Sequence, residues 1–126
     1  MDLNRVALIG NVSQEPEQKT LGTGSTVTKL NVATNYSWKD KSGEQKDKVN
    51  FHTIVGWNQL GDRMTKYLKT GDRVYLEGRI DHQSYKAKDG STKCNTDIIA
   101  DKMIMLGKGK KTKTEDGEDN IVVEPF

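Results

Sequence analysis

One change of hydrophobic period constrains the fold of this chain more than any other feature. Between residues 58 and 70 the apolar side chains recur at helical spacing, and Gly71 then supplies a stop signal. The four apolar positions are Leu60, Met64, Tyr67 and Leu68. On both sides of this segment, apolar residues alternate with polar ones or form short runs bounded by glycines, as in β-strands. The sequence therefore predicts one helix within an otherwise β chain, and we expect it to cover an open end of the sheet.

Three strands are predicted before the helix and two after it. Their ranges are 5–11, 26–35, 49–57, 73–81 and 93–106. This order is typical of an all-β fold, the OB-fold, in which a five-stranded Greek-key barrel carries one helix between strands 3 and 4. Polar connections are expected around Pro16, over 37–48 and over 84–92. The last two are long, and we expect them to stand out from a binding face.

Alternation also predicts which strand residues share a face. In the third strand, Phe51 and Trp57 fall on one face, whereas His52 and Ile54 fall on the other. Gly56 is a candidate β-bulge, which would break this parity. In the fourth strand the residues predicted to face inward are Val74, Leu76, Gly78 and Ile80.

The composition limits the chain to one small domain with a tail. The chain has 126 residues, of which 33% are hydrophobic and 30% charged, so its core is small. We place the domain at residues 1–107 and the tail at 108–126. The single cysteine, Cys94, excludes an intrachain disulfide and fits a reducing compartment. No zinc-ligand spacing, cofactor motif, signal peptide or long apolar span is present, so no metal, cofactor or membrane partner is expected.

Charge is divided unevenly along the chain. Residues 1–114 contain all 20 basic residues and 13 of the 18 acidic ones, a net of +7, whereas residues 115–126 carry five acids and a net of −5. A basic body predicts a polyanionic partner, and an acidic end predicts a different role. The end could recruit other proteins, or compete with the polyanion for the body.

The stretch over 35–60 predicts what the polyanion is. It holds both tryptophans, Trp38 and Trp57, with Phe51 and four lysines between or beside them. Aromatic rings interleaved with cations suit unpaired nucleic acid, because any base stacks on a ring while a lysine contacts the neighbouring phosphate. The alternative is that these rings form strand core. An RNA-binding or tRNA-binding barrel would use the same groups. A nuclease is disfavoured because no catalytic motif is present.

An ordered set of motifs resembles the bacterial single-stranded DNA-binding protein (SSB) family. Its first member is Asn-Arg-Val-Ala-Leu-Ile-Gly-Asn at 4–11, and the others lie at 32–34, 37–40, 51–52, 67–68, 74–78 and 103–107. The resemblance implies an OB-fold that binds single-stranded DNA without strong sequence preference and without catalysis. It also implies a cytoplasmic, nucleoid-associated homotetramer that acts in DNA replication, recombination and repair.

The resemblance also implies a set of DNA-binding residues. The positions of stacking aromatics are occupied by Trp38, Phe51, Trp57 and Tyr85, and family basic positions by Lys19, Lys39, Lys41 and Lys69. We add Lys48 and Lys86, which lie in the predicted loops. His52 matches a position of contacts between subunits. Four further positions that are basic in well-known members are not basic here, namely Thr53, Gln59, Thr70 and Gln83, so a shallower salt dependence is expected.

The end of the chain resembles the family's C-terminal tip. Glu124, Pro125 and Phe126 follow an acidic stretch, and an apolar ring next to a terminal carboxylate suits a pocket with a basic rim. This predicts that replication and repair proteins bind here. The connection over 107–114 is short and basic, whereas family linkers are usually long and rich in Gly and Gln. A frayed polar end is the alternative.

Overall fold

The fold is a closed five-stranded barrel with one helix. The computed structural model describes residues 1–108, and its elements are β1 (Val6–Thr20), β2 (Thr26–Lys39), β3 (Gln45–Trp57), α1 (Asn58–Tyr67), β4 (Asp72–Lys86) and β5 (Thr92–Lys108). The strands pair in the order β1-β2-β3-β5-β4, and β4 returns to β1 to close the barrel. Four of these pairings are antiparallel, and the pairing of β3 with β5 is parallel. The predicted Greek-key OB-fold, with its helix between strands 3 and 4, is confirmed.

The core is filled from every strand and from the helix. Its buried members are Val12, Leu30, Val32, Ile54, Met64, Leu68, Val74, Leu76, Ile98, Ala100 and Met103. Each fully buried side chain of this size contributes about 1.5–3 kcal/mol relative to an exposed one. The predicted inward face of the fourth strand is correct for Val74 through Gly78 but wrong for Ile80, which is exposed. The pairing of β4 with β1 ends at Gly78, so Ile80 lies beyond the closed part of the barrel.

The helix closes one end of the barrel, as expected. Met64 and Leu68 are buried in the core, and Leu60 packs against it. Gly61 allows this approach, because a Cβ there would lie 2.5 Å from Thr28 Oγ1. The prediction that Tyr67 belongs to the buried face is wrong. The helix ends at Tyr67, which is about half exposed.

Gly56 is not a bulge. The β2–β3 register runs without a shift from Val27↔Trp57 to Lys39↔Gln45. A Cβ at Gly56 would lie 2.7 Å from Met64 Sδ, so this glycine makes room for the helix. The predicted parity of the third strand therefore holds throughout.

The strands are longer than predicted. β1 continues through Pro16 to Thr20, with register shifts on either side of Gln14. A bulge accommodates the proline, which lacks a backbone donor. β2 and β3 extend to Lys39 and Gln45, so most of the expected 37–48 loop is a hairpin. Most residues on both faces of these extensions are exposed, so the alternation of buried apolar and exposed polar residues by which a strand is recognised is missing.

Three hairpins share one turn geometry. In each, two backbone hydrogen bonds enclose a three-residue loop, as in Asp40 N to Glu44 O and Gly43 N to Asp40 O. The last residue of each loop is a glycine with positive φ: Gly24 at 94°, Gly43 at 86° and Gly90 at 89°. A type I turn followed by a left-handed residue is the usual three-residue hairpin loop, and glycine adopts that conformation without strain. The dipeptides Ser42-Gly43 and Asp89-Gly90, which are typical of turns, thus lie at their turns.

Candidate nucleic-acid interface

All four predicted stacking rings are open to solvent. The exposed fraction is 39% for Trp38, 67% for Phe51, 42% for Trp57 and 48% for Tyr85. The alternative that they form strand core is excluded, because the core cluster contains none of them. Exposed rings of this size are a condition for base stacking. Their role in binding nucleic acid stays a prediction.

Phe51 and Trp57 share the outer face of β3, which is the face that does not line the core. Trp57 lies opposite Val27 of β2, which lies opposite Lys19 of β1. Since neighbouring strands are about 4.8 Å apart, Lys19 is roughly 10 Å from Trp57 across the sheet. The fold thus brings this lysine and this ring, 38 positions apart in the sequence, into one row.

Trp38 belongs to the other face of the same hairpin. It lies opposite Lys46. It is an even number of positions from the core residues Leu30 and Val32, so it is on the same side of β2 as they are. Its ring stacks on Tyr36, with ring centroids 5.5 Å apart and planes at 24°. Tyr36 is 61% exposed and was not predicted as a site residue. The available signal was its spacing, because residues two apart in a strand share a face.

Tyr85 lies near the tip of the β4–β5 hairpin. It is directly opposite Lys93, and the next pair joins Lys86 to Thr92. Lys93 was not predicted, because only the strand register shows that it is the cross-strand neighbour of a ring. Directly opposed residues have Cβ atoms about 4.5–5.5 Å apart, so an ammonium beside this ring can contact the phosphate of a stacked base.

The six predicted lysines are exposed, and none forms an ion pair within residues 1–108. They are Lys19, Lys39, Lys41, Lys48, Lys69 and Lys86. Lys46 differs, because its Nζ lies 3.6 Å from Glu44 and 4.0 Å from Asp40. Lys69 lies in the α1–β4 connection rather than on a ring-bearing strand. The others, apart from Lys19, lie on the two long hairpins.

The tip of the β2–β3 hairpin is built around one carboxylate. Asp40 Oδ1 accepts hydrogen bonds from Ser42 Oγ at 2.7 Å, Glu44 N at 2.9 Å and Ser42 N at 3.0 Å. The Ser42 hydroxyl and the backbone N–H groups hold the pKa of Asp40 below its ordinary value of 3.8. These hydrogen bonds fix the turn that carries Lys41.

The outer face next to Phe51 carries polar groups around Thr53. Asn31 Nδ2 donates to Gln14 Oε1 at 2.8 Å, and Thr53 lies opposite Asn31. These side chains line a shallow pocket of about 190 Å³. On the other side of Thr53, in β5, lies Asp97, which is only 8% exposed and has no side-chain hydrogen bond or ion pair among the described residues.

His52 lies on the inner face of β3, at the margin of the core. It is half-buried, and its Nε2 is 2.9 Å from Thr34 Oγ1 on β2. It thus shares a face with Ile54 and is not an outward strand residue. Its predicted contact with another subunit is untested.

The last three predictions concern metal binding, a membrane span and the C-terminal tip. No group of three or more His, Cys, Asp or Glu residues within 1–108 is arranged to hold a metal ion. The one described helix is too short to cross a membrane. The predicted tip at Glu124, Pro125 and Phe126 lies outside the described residues.

Comparison with known proteins gives a consistent result. Residues 3–106 match the model of the single-strand binding protein family. A single-stranded DNA-binding protein of Neisseria meningitidis serogroup A is 39% identical over 107 residues, which are 85% of this chain and 62% of that protein. Single-stranded DNA-binding protein 1 of Chlorobaculum tepidum is 39% identical over 106 residues, which are 83% of this chain and 65% of that protein. The chain thus spans less than two thirds of the length of these curated relatives.

Among solved structures, the chain is similar to a Plasmodium falciparum SSB in complex with single-stranded DNA. The TM-score is 0.79 at 36% identity, covering 84% of this chain and 96% of that one. The chain is also similar to a deletion mutant of the Thermus aquaticus single-stranded DNA-binding protein. The TM-score is 0.72 at 25% identity, covering 82% of this chain and 50% of that one.

Proposed function

The chain belongs to the single-strand binding protein family, and we propose that it binds single-stranded DNA without strong sequence preference. Bases stack on Trp38, Phe51, Trp57 and Tyr85, at roughly 1–3 kcal/mol each. Phosphates are neutralised by Lys39, Lys41, Lys48 and Lys86 of the two hairpins, together with Lys19 and Lys69. The protein holds and protects the strand without catalysing a reaction.

The observation that carries this proposal is that four aromatic rings are exposed on a small domain whose predicted DNA-binding lysines form no ion pair within residues 1–108. Exposed rings with exposed lysines near them are typical of a surface that binds unpaired nucleic acid. Since every base has a π-face, such rings accept any sequence. Duplex DNA keeps its bases stacked on one another, so a surface of this type selects unpaired strands.

Membership of the family supports further proposals about cellular role, assembly and partners. The protein acts in DNA replication, recombination and repair in the cytoplasm, at the nucleoid. It assembles as a homotetramer in which His52 contributes to the contacts between subunits, so that one strand can cross several barrels and gain avidity. Replication and repair proteins bind the tip formed by Glu124, Pro125 and Phe126.

A titration of tryptophan fluorescence with poly-dT at several salt concentrations tests the proposal. We expect quenching, because both tryptophans lie in the interface. A plot of the logarithm of the binding constant against the logarithm of the salt concentration should have a slope of about −0.7 for each phosphate neutralised. This slope should be shallower than in relatives that have cations at four positions where this chain is uncharged, namely Thr53, Gln59, Thr70 and Gln83. Absence of quenching would refute the proposal, and equal competition by poly-U would favour RNA as the ligand.

A further inference from the structure

The β2–β3 hairpin extends beyond the barrel as a free two-stranded ribbon. β1 pairs with β2 only as far as Ala33, and β5 pairs with β3 only from Thr53 onward. Beyond these points residues 34–39 pair with residues 45–50 alone, within the part of the chain that the structure describes. Both faces of the ribbon are therefore accessible to a ligand.

One face of this ribbon carries two rings and two lysines. Tyr36 lies opposite Lys48, and Trp38 lies opposite Lys46. The rings of Tyr36 and Trp38 stack on each other at 5.5 Å, and Tyr36 is the more exposed of the two. In a stack of two, each ring keeps one face free for a base.

The two lysines differ in their partners. Lys46 Nζ is within 4.0 Å of both Glu44 and Asp40, so its charge is offset by two carboxylates. Lys48 forms no ion pair with any described residue. The cation that remains available on this face is thus the one directly opposite Tyr36.

From this arrangement we infer that Tyr36 and Lys48 form a nucleotide subsite of their own, next to that of Trp38. An unpaired base stacks on the open face of Tyr36, and Lys48 contacts the phosphate of the same nucleotide. Phe51 lies on one face of the β2–β3 hairpin, and the subsite lies on the other face. This inference rests on the proposed function and adds to it a second binding surface with a named ring and cation.

Tyr36→Leu tests the ring, because leucine keeps an apolar side chain and removes the π-face. We expect the affinity for fluorescein-labelled oligo-dT to fall by about 5- to 150-fold, the range for one base–ring stack. Tyr36→Phe should recover most of the loss. Tyr67→Leu is the matched control, since Tyr67 is similarly exposed but lies on α1 beneath the Lys66 ammonium. Equal binding by wild type and Tyr36→Leu would overturn the inference.

Lys48→Gln tests the cation. It should make the salt slope shallower by about 0.7, the contribution of one phosphate. Lys46→Gln, on the same face of the same ribbon, should leave the slope nearly unchanged because its charge is already offset. If both substitutions change the slope equally, the assignment of Lys48 is wrong.

A structural role for Tyr36, as a support for Trp38 alone, predicts a different result. In that case the double variant Tyr36→Leu/Trp38→Leu would bind no more weakly than Trp38→Leu, and the inference would fail. We expect the double variant to be weaker. The proposed function is tested separately, because it fails only if the wild-type protein does not bind oligo-dT. Thermal unfolding of each variant by circular dichroism confirms that the fold is retained.

Discussion

Trp38 and Phe51 project from opposite faces of the β2–β3 hairpin. Trp38 lies opposite Lys46 and Phe51 opposite Ala33, in a register without a shift, so their parity differs. A two-stranded ribbon twists strongly, which allows rings on its two faces to follow one winding path. A strand bound by both rings therefore passes around the ribbon.

The first prediction concerns these two rings. Trp38→Leu and Phe51→Leu should each weaken oligo-dT binding by roughly 1–3 kcal/mol, because each removes one stacking surface. Since the rings have separate neighbours, the two losses should add in the double variant to within about 0.5 kcal/mol. Fluorescence anisotropy titrations measure all three affinities. A double variant no weaker than either single one would show that the rings hold the same base.

The second prediction concerns the buried carboxylate of Asp97. It lies directly opposite Asp81, and like charges directly opposite each other in a cross-strand pair are destabilising. Asp97→Asn should therefore raise the melting temperature. Asp101→Asn is the matched control on the same strand, where Asp101 Oδ2 accepts from Arg5 at 2.7 Å, and it should lower the melting temperature slightly. A decrease for Asp97→Asn as well would mean that a donor reaches Asp97 in solution.

The third prediction concerns pH and the hairpin tip. The pKa of Asp40 is lowered, chiefly by the Ser42 hydroxyl, so its contribution to stability is complete above 3.8 and is lost as the pH falls through the lower, folded-state pKa. Ser42→Ala should raise the pKa of Asp40 toward 3.8, as followed by NMR titration of the carboxyl carbon. The β4–β5 turn is an internal control, because Ser91 lowers the pKa of Asp89 in the same way. An Asp40 pKa at or above 3.8 in the wild-type protein would contradict this account of the turn.

The fourth prediction concerns the acidic end. Residues 115–126 carry a net charge of −5 next to a body of +7, so they can compete with DNA for the same lysines. Deletion of 115–126 should tighten oligo-dT binding at low salt, and the gain should disappear at high salt because of screening. Deletion of Pro125 and Phe126 alone leaves the charged side chains and is the control. Unchanged affinity at low salt would rule out competition.

Residue patterns alone predicted the order of strands and helix in the barrel, whereas the set of four rings came from the resemblance to the family. The change of period at residue 58 predicted the one helix, and glycines with neighbouring polar residues marked the turns. These features are local, since backbone sterics and side-chain periodicity act over a few residues. The patterns failed at Pro16 and over 37–48, where a strand has no buried face and therefore no alternation.

The partners of each ring and cation were decided by tertiary structure. Strand register sets the pairs Tyr36↔Lys48 and Tyr85↔Lys93, and the row from Lys19 to Trp57 requires three strands to assemble. Register depends on how the whole barrel buries its inner face, so no short stretch of sequence contains it. The sequence by itself determined which rings and cations the chain contains, and the tertiary structure decided which of them are exposed and which lie opposite one another.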